Sequence, residues 1–267
     1  MAVTNNWILH NLDQRLSDFS LDLKVTLQPY AFKEMSFHAA ADYTANLINE
    51  NYNNLFLSHS GGADSDYVFY CLCRNNIKFT PIIVETSGNS IELKYALHSC
   101  KKFNITPVIL KLSNKEYLEI FKSEIIDKLN GVGIYTVPGI VAGYYAKDHD
   151  GILIKGDHFI ENDQTSIYTG INEWDFYNEV LIGYEYNIPF FNYTIELSYA
   201  MANEIKQMHI SDWKKKTYNL DYRPKIDYNF SYHFQEVVKK FFKIRPYRPE
   251  PTMLFGAKEQ FLKILKP

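Results

Sequence analysis

Between Ser58 and Ser65 the chain reads Ser-His-Ser-Gly-Gly-Ala-Asp-Ser. These residue types suit the holding of an anion. The adjacent glycines Gly61 and Gly62 let the backbone turn tightly and aim successive N–H groups into one concavity. Ser60 and Ser65 add hydroxyl donors, and Asp64 offers a carboxylate to a metal counter-ion. The apolar run Leu55-Phe56-Leu57 precedes the stretch, and Asp66 to Cys73 follows it with apolar residues at helical spacing. The unit is therefore strand, glycine turn, helix, and the helix start brings further unpaired N–H groups that favour an anion. An ordinary surface turn is the competing reading. A Walker-type loop is excluded because no Gly-Lys-Ser/Thr ending is present. A dinucleotide loop of the G-x-G-x-x-G type is absent as well.

Three further stations carry chemistry. Ile152-Leu153-Ile154-Lys155 leads into Gly156-Asp157-His158 and then Glu161 and Asp163, a buried strand running into acids. Magnesium favours a few carboxylates together with phosphate oxygens and water. Asp64, Asp157 and Glu161 are thus the candidate metal ligands, with Asp163 in reserve. An acidic surface turn is the alternative, and His158 reads as a base or as a plain hydrogen-bonding residue. Val84-Glu85-Thr86-Ser87-Gly88-Asn89 ends a second strand and would face the first loop, although Gly88 and Asn89 can simply make a turn. Lys155 and a late basic tract form the last station. From Lys206 to Arg248 there are 11 Lys and Arg against four acids. A cation from this late basic region aimed at a reacting phosphate would offset developing charge. The same tract, with Tyr and Phe interleaved, also suits an RNA backbone.

The elements that must position these residues alternate. Strands are expected at 55–59, 79–85, 106–112 and 151–155, and helices at 66–76, 91–103, 114–129 and 138–148, with Ser113 and Glu116 forming a capping box. Such alternation predicts an α/β fold with a parallel sheet covered on both faces and a ligand at the carboxyl ends of its strands. Before residue 55 come strands at 7–9 and 21–27 and a helix capped by Ser36. Beyond residue 165 the pattern reads as helical, at 171–183, 193–209, 211–218, 231–243 and 256–265. The expected divisions are a packed-on head at 1–54, a nucleotide-binding core at 55–165 and a basic helical extension at 166–267 forming the substrate side.

Composition narrows the class. The 267 residues carry a net charge of −3, which excludes a general polyanion binder. Three cysteines without a C-x-x-C pair argue against disulfides and structural zinc. No charged-then-apolar leader and no apolar run of membrane length is seen, so a cytoplasmic protein without a membrane partner is expected.

The S-G-G-x-D-S loop directly after a buried strand resembles the PP-loop ATP pyrophosphatase superfamily, which includes asparagine synthetase, GMP synthetase, NAD synthetase and tRNA-lysidine synthetase. The pattern is closest to the synthetase domain of asparagine synthetase, where a similar strand runs into G-(D/E)-G-x-D-E. Gly156-Asp157 and Glu161 match that motif, while His158 and Ile160 depart from it. The resemblance covers roughly residues 36–165 and implies a HUP-like (Rossmann-like) three-layer core. It further implies ATP and Mg2+ as cofactors. The implied nucleotide-contacting set is Ser58, Ser60, Gly61, Gly62, Asp64 and Ser65, with Val84 near the adenine and Gly156 at the acidic station. Asp64, Arg245, Arg248 and Lys258 are the implied catalytic set. The implied reaction is adenylation of a small-molecule carboxylate or amide oxygen with release of pyrophosphate, then displacement of AMP by a nitrogenous nucleophile. The head is too short for a glutaminase domain, which fits a stand-alone member of the kind bacteriophages carry; a homodimer is compatible with it. The alternatives are a tRNA-modifying relative and an ATP- or AMP-binding regulatory module without turnover.

Overall fold

The computed structural model describes residues 7–10, 14, 17, 25–27, 31–86, 89–128, 136–157, 160–162, 167–169, 177–205 and 210–218. The helices expected at 231–243 and 256–265 lie outside these residues, as do His158, Asp163, Arg245, Arg248 and Lys258. Among the described residues no helix is long and apolar enough to cross a membrane.

Among the described residues five parallel strands make the sheet: β3 (Leu55–Ser58), β4 (Phe79–Glu85), β5 (Val108–Lys111), β6 (Ile152–Lys155) and β9 (Asn187–Pro189), in spatial order β5-β4-β3-β6-β9. The chain builds outward from β3 to β5, then returns to the other side of β3 with β6. The direction of winding therefore reverses between β3 and β6, the place where open α/β sheets bind ligands. Two small antiparallel pairs lie outside this sheet: β1 (Ile8–His10) with β2 (Val25–Leu27), and β7 (Ile160–Asn162) with β8 (Ile167–Thr169).

Alternation along the central strands sends side chains to two separate cores. Leu55, Leu57, Ile83 and Ile154 join a core with α1 (Phe37–Asn51), α2 (Ala63–Arg74) and α3 (Ser90–Lys102). Phe56, Ile82, Val84 and Leu153 face the opposite way, onto Ala142 and Ala146 of α5 (Val137–Asp148). The result is the expected three-layer α/β architecture. Three of the helices end alike. Asn76, Asn104 and Asp150 adopt positive φ of 56°, 53° and 51°. The next residue's N–H then bonds back to Leu72, Cys100 or Ala146 at 3.0, 2.9 and 2.9 Å, which turns the chain sharply into the following strand.

Several boundaries differ from the sequence reading. The expected helix 114–129 is α-helical only over α4 (Asn114–Ile120), where the Ser113–Glu116 capping box forms, and continues as a π-helical stretch, Phe121–Asp127. The helical pattern expected beyond residue 165 is interrupted by β8 and by β9, which completes the main sheet. Around them lie α6 (Tyr177–Ile182), α7 (Phe190–Tyr193), α8 (Ile195–Ile205) and α9 (Ile210–Thr217). A three-residue edge strand ending in proline has no alternation to betray it. Helix α9 docks through Trp213, whose indole N–H donates to Glu204 at 3.2 Å and whose ring meets Phe37 edge-on at 4.7 Å. The other oxygen of Glu204 accepts from the Phe37 N–H at 3.0 Å, so one carboxylate ties the start of α1 to α9.

Candidate active site

The turn joining β3 to α2 sits at the reversal point. His59 leaves the strand with its N–H still bonded to the Ile82 carbonyl at 2.9 Å, extending the ladder by one residue. Gly61 then takes a φ of +81°, and a side chain there would put its β carbon 2.0 Å from the Glu92 carbonyl oxygen in the first turn of α3. Only glycine satisfies both the dihedral and the space. Gly62 caps α2, and the serine hydroxyls brace the turn. Ser60 Oγ accepts from the Gly62 N–H at 3.1 Å and lies 3.0 Å from Ser65 Oγ, while Ser65 Oγ donates to the Gly62 carbonyl at 3.1 Å. The hydroxyls expected to point at a ligand thus first hold the loop's shape.

Beneath the turn is a buried polar group that the sequence reading did not single out. The ring of His59, 1% exposed, stacks on Phe69 at 4.9 Å, and its Nε2 stands 3.7 Å from Asp66 Oδ1. The same oxygen accepts from Ser99 Oγ of α3 at 2.5 Å. The only warning in the sequence is an aspartate at an inward position of an otherwise apolar helix face.

Asp64, second residue of α2, is the centre of charge. Its Oδ2 accepts from Lys214 Nζ at 2.7 Å and its Oδ1 from the Tyr218 hydroxyl at 2.7 Å. Burial, and then the neighbouring Asp64 charge, push the Tyr218 phenol well above its ordinary range, so it remains a donor. Tyr218 stacks on Tyr67 at 4.3 Å, within an aromatic group that includes Phe37, Phe191 and Trp213. Lys214 belongs to the basic tract noted above; Tyr218, Trp213 and Glu204 were not singled out.

The acidic station lies alongside. A β carbon at Gly156 would stand 2.7 Å from the Ser65 nitrogen and 2.8 Å from its Cα, so β6 runs directly under the loop. Lys155 Nζ pairs with Asp157 Oδ2 at 2.7 Å. Glu161 is in β7, opposite Tyr168 in the hairpin with β8. Val84 is buried at the end of β4, and its carbonyl accepts from Asn89 Nδ2 at 2.7 Å, while Asn89 Oδ1 takes the Thr86 N–H at 2.8 Å.

Asp64 and Asp157 neighbour the Gly156–Ser65 contact, and a carboxylate is the kind of protein ligand magnesium takes beside phosphate oxygens and water. Both already face a cation, in each case an ammonium. No group of three or more His, Cys, Asp or Glu converges among the described residues. Chemically, the turn offers backbone N–H groups at a helix start with Asp64 and Lys214, and the neighbouring strand end adds Lys155 and Asp157.

No family model matches the sequence, and no curated protein matches it. Solved structures give slight likenesses. The glutamine-dependent NAD+ synthetase from Acinetobacter baumannii in complex with ADP aligns at 10% identity and a TM-score of 0.38, over 50% of this chain and 28% of that one. The NMN synthetase from Francisella tularensis aligns at 12% identity and a TM-score of 0.36, over 82% of this chain and all of that one. The NH3-dependent NAD synthetase from Campylobacter jejuni subsp. jejuni NCTC 11168, in complex with nitrate, gives 16% and 0.35, over 80% of this chain and all of that one. Likenesses this slight carry nothing about chemistry, and the functional reading rests on the chain's own geometry.

Proposed function

We propose that the protein is an ATP pyrophosphatase that adenylates an acceptor. The observation that carries this reading is the turn at 60–65. It is a glycine loop at the reversal point of a parallel sheet, opening a 12-residue helix, and closed against α3 and β6 at two positions where any side chain is excluded. Successive N–H groups there suit the terminal phosphates of a nucleotide. Lys214, held by Asp64, adds a cation at the same turn.

In the reaction an acceptor oxygen, from a carboxylate or amide, forms a bond to the α-phosphorus. The bond from that phosphorus to the oxygen bridging to the β-phosphate breaks, and pyrophosphate leaves with the electron pair. A nitrogen nucleophile then displaces AMP. Loop N–H groups and the start of α2 hold the departing charge without reorganising, and fixing both reactants at one crevice lowers the entropic barrier. If Mg2+ accompanies the nucleotide, Asp64 and Asp157 are the residues that would hold it, and it would neutralise charge on the phosphates.

The test is product analysis by phosphorus NMR or nucleotide chromatography, with ATP, magnesium and pools of metabolites or of tRNA. AMP plus pyrophosphate, lost in Asp64→Asn while the melting temperature holds, supports the reading. ADP plus phosphate refutes attack at the α-phosphorus. Tight nucleotide binding without turnover in any pool points instead to a sensing module.

A further inference from the structure

Lys155 is the last residue of β6 and is 7% exposed. Lysine is rarely buried unless paired, because removing an ammonium from water is costly. One partner, Asp157, has a side chain that is 60% exposed. The pair is lopsided, with the cation inside the protein and its counter-charge at the solvent edge.

The position is informative. Leu153, two residues earlier on β6, faces the α5 side, and Lys155 shares that face by alternation. Phe56 faces the same side, and Ser58 follows it on β3. The register pairs Leu57 with Ile154, which makes Ser58 and Lys155 lateral neighbours at the carboxyl ends of the two central strands. The residue after Lys155 touches the loop itself, at Ser65. The loop opens α2 on one face of the sheet, whereas Lys155 lies on the other face, one strand away. Lys155 is thus a buried cation one strand away from the loop, at the same carboxyl edge of the sheet.

We propose that Lys155 contacts the α-phosphate of the bound nucleotide, its ammonium exchanging Asp157 for a phosphate oxygen as the nucleotide enters. This rests on the ATP reading above and names a group for it. Charge gathers on the α-phosphate oxygens as the phosphorus becomes five-coordinate, and a cation shielded from water acts on that charge more strongly than a solvated one.

The test is calorimetric binding of AMP, ATP and inorganic pyrophosphate in EDTA, on wild type, Lys155→Met, Lys155→Arg and Asp157→Asn. Loss of one charge-assisted contact should weaken AMP and ATP by about ten- to a hundredfold in Lys155→Met. Pyrophosphate binding should be unchanged, and Lys155→Arg should recover part of the loss. Asp157→Asn should bind AMP more tightly than wild type, because one carboxylate competing for the ammonium is removed; a purely structural pair would not give this result. Unchanged AMP affinity in Lys155→Met overturns the proposal, as does an equal loss of AMP and pyrophosphate. Turnover lost with AMP affinity intact also overturns it and assigns the ammonium to the acceptor's carboxylate. Wild-type protein that binds no adenine nucleotide even with magnesium in place of EDTA refutes the ATP reading itself, a distinct outcome.

Discussion

Alanine at position 61 should destabilise the protein by about 3 kcal/mol, and the figure follows from two separate effects. A left-handed backbone costs a residue with a β carbon about 1–2 kcal/mol. At Gly61, with φ of +81°, that cost is unavoidable. The new carbon would also stand 2.0 Å from the Glu92 carbonyl oxygen, well inside contact distance. That oxygen belongs to the backbone of α3, which is anchored by Ser99 on Asp66 and by buried Ala96 and Cys100. It can retreat only by moving the helix, and overpacking of this kind costs about 1–3 kcal/mol. For a domain of this size, 3 kcal/mol lowers the melting temperature by about 6–12 °C. Gly143 is the control. A β carbon there would be just as close, 2.0 Å, but to the tip of the Ile182 side chain, which can rotate away. Alanine also favours a helix over glycine by about 0.5–1 kcal/mol, so Gly143→Ala should melt within about 2 °C of wild type on the same scale. Calorimetry of the two variants decides the matter. If Gly61→Ala melts as wild type does, or Gly143→Ala is equally damaged, the loop is not held as described.

Four further outcomes are expected. Trp213→Ala should cost about 3–5 kcal/mol in urea unfolding and Trp213→Phe only about 1 kcal/mol; equal losses would show that the indole N–H on Glu204, not the ring, anchors α9. Tyr218→Phe keeps the stack on Tyr67 and loses the bond to the Asp64 carboxylate, for about 1.5–3 kcal/mol by chemical denaturation, while Lys214→Met should weaken ATP in calorimetry by about tenfold as the loop loses its cation. Burial, followed by the Arg74 charge, lowers the His38 imidazole below 6.5 while its Nδ1 lies 2.9 Å from the Tyr67 hydroxyl. The unfolded chain then binds the proton more readily, so the stability from neutral His38 is full above pH 6.5 and lost as pH falls through the lowered value. His38→Asn should flatten that part of the stability–pH curve, and an unchanged slope would assign it elsewhere.

Legibility tracked sequence distance. The turn at 58–65 is local, so strand, glycines and helix could be read directly, and the Ser113–Glu116 box was visible for the same reason. Strand β9 was hidden because Asn187-Ile188-Pro189 is too short to show a period. The π-helical stretch at 121–127 was hidden because its apolar spacing reads as an ordinary helix. The site's strongest contacts were the least accessible, since Lys214 and Tyr218 meet Asp64 from 150 and 154 residues away. Nothing in a run of three lysines says which one turns inward. Trp213 beside it was the available hint, because a tryptophan within a basic stretch asks for a place to bury its ring.

The tie that Glu204 makes between α1 and α9 has a consequence for the order of assembly. On a ribosome adding about 5–20 residues per second, 154 positions take about 8–30 s. During that interval β3, the loop and α2 are already made, yet Asp64 has neither its ammonium nor its phenol, and the first N–H of α1 lacks its acceptor. Both gaps close within the same short span of translation, when residues 204 to 218 emerge and α9 swings its tryptophan onto Phe37. The nascent chain therefore carries a sheet before it carries a finished site, and the stitch that completes one end of the oldest large helix also completes the loop.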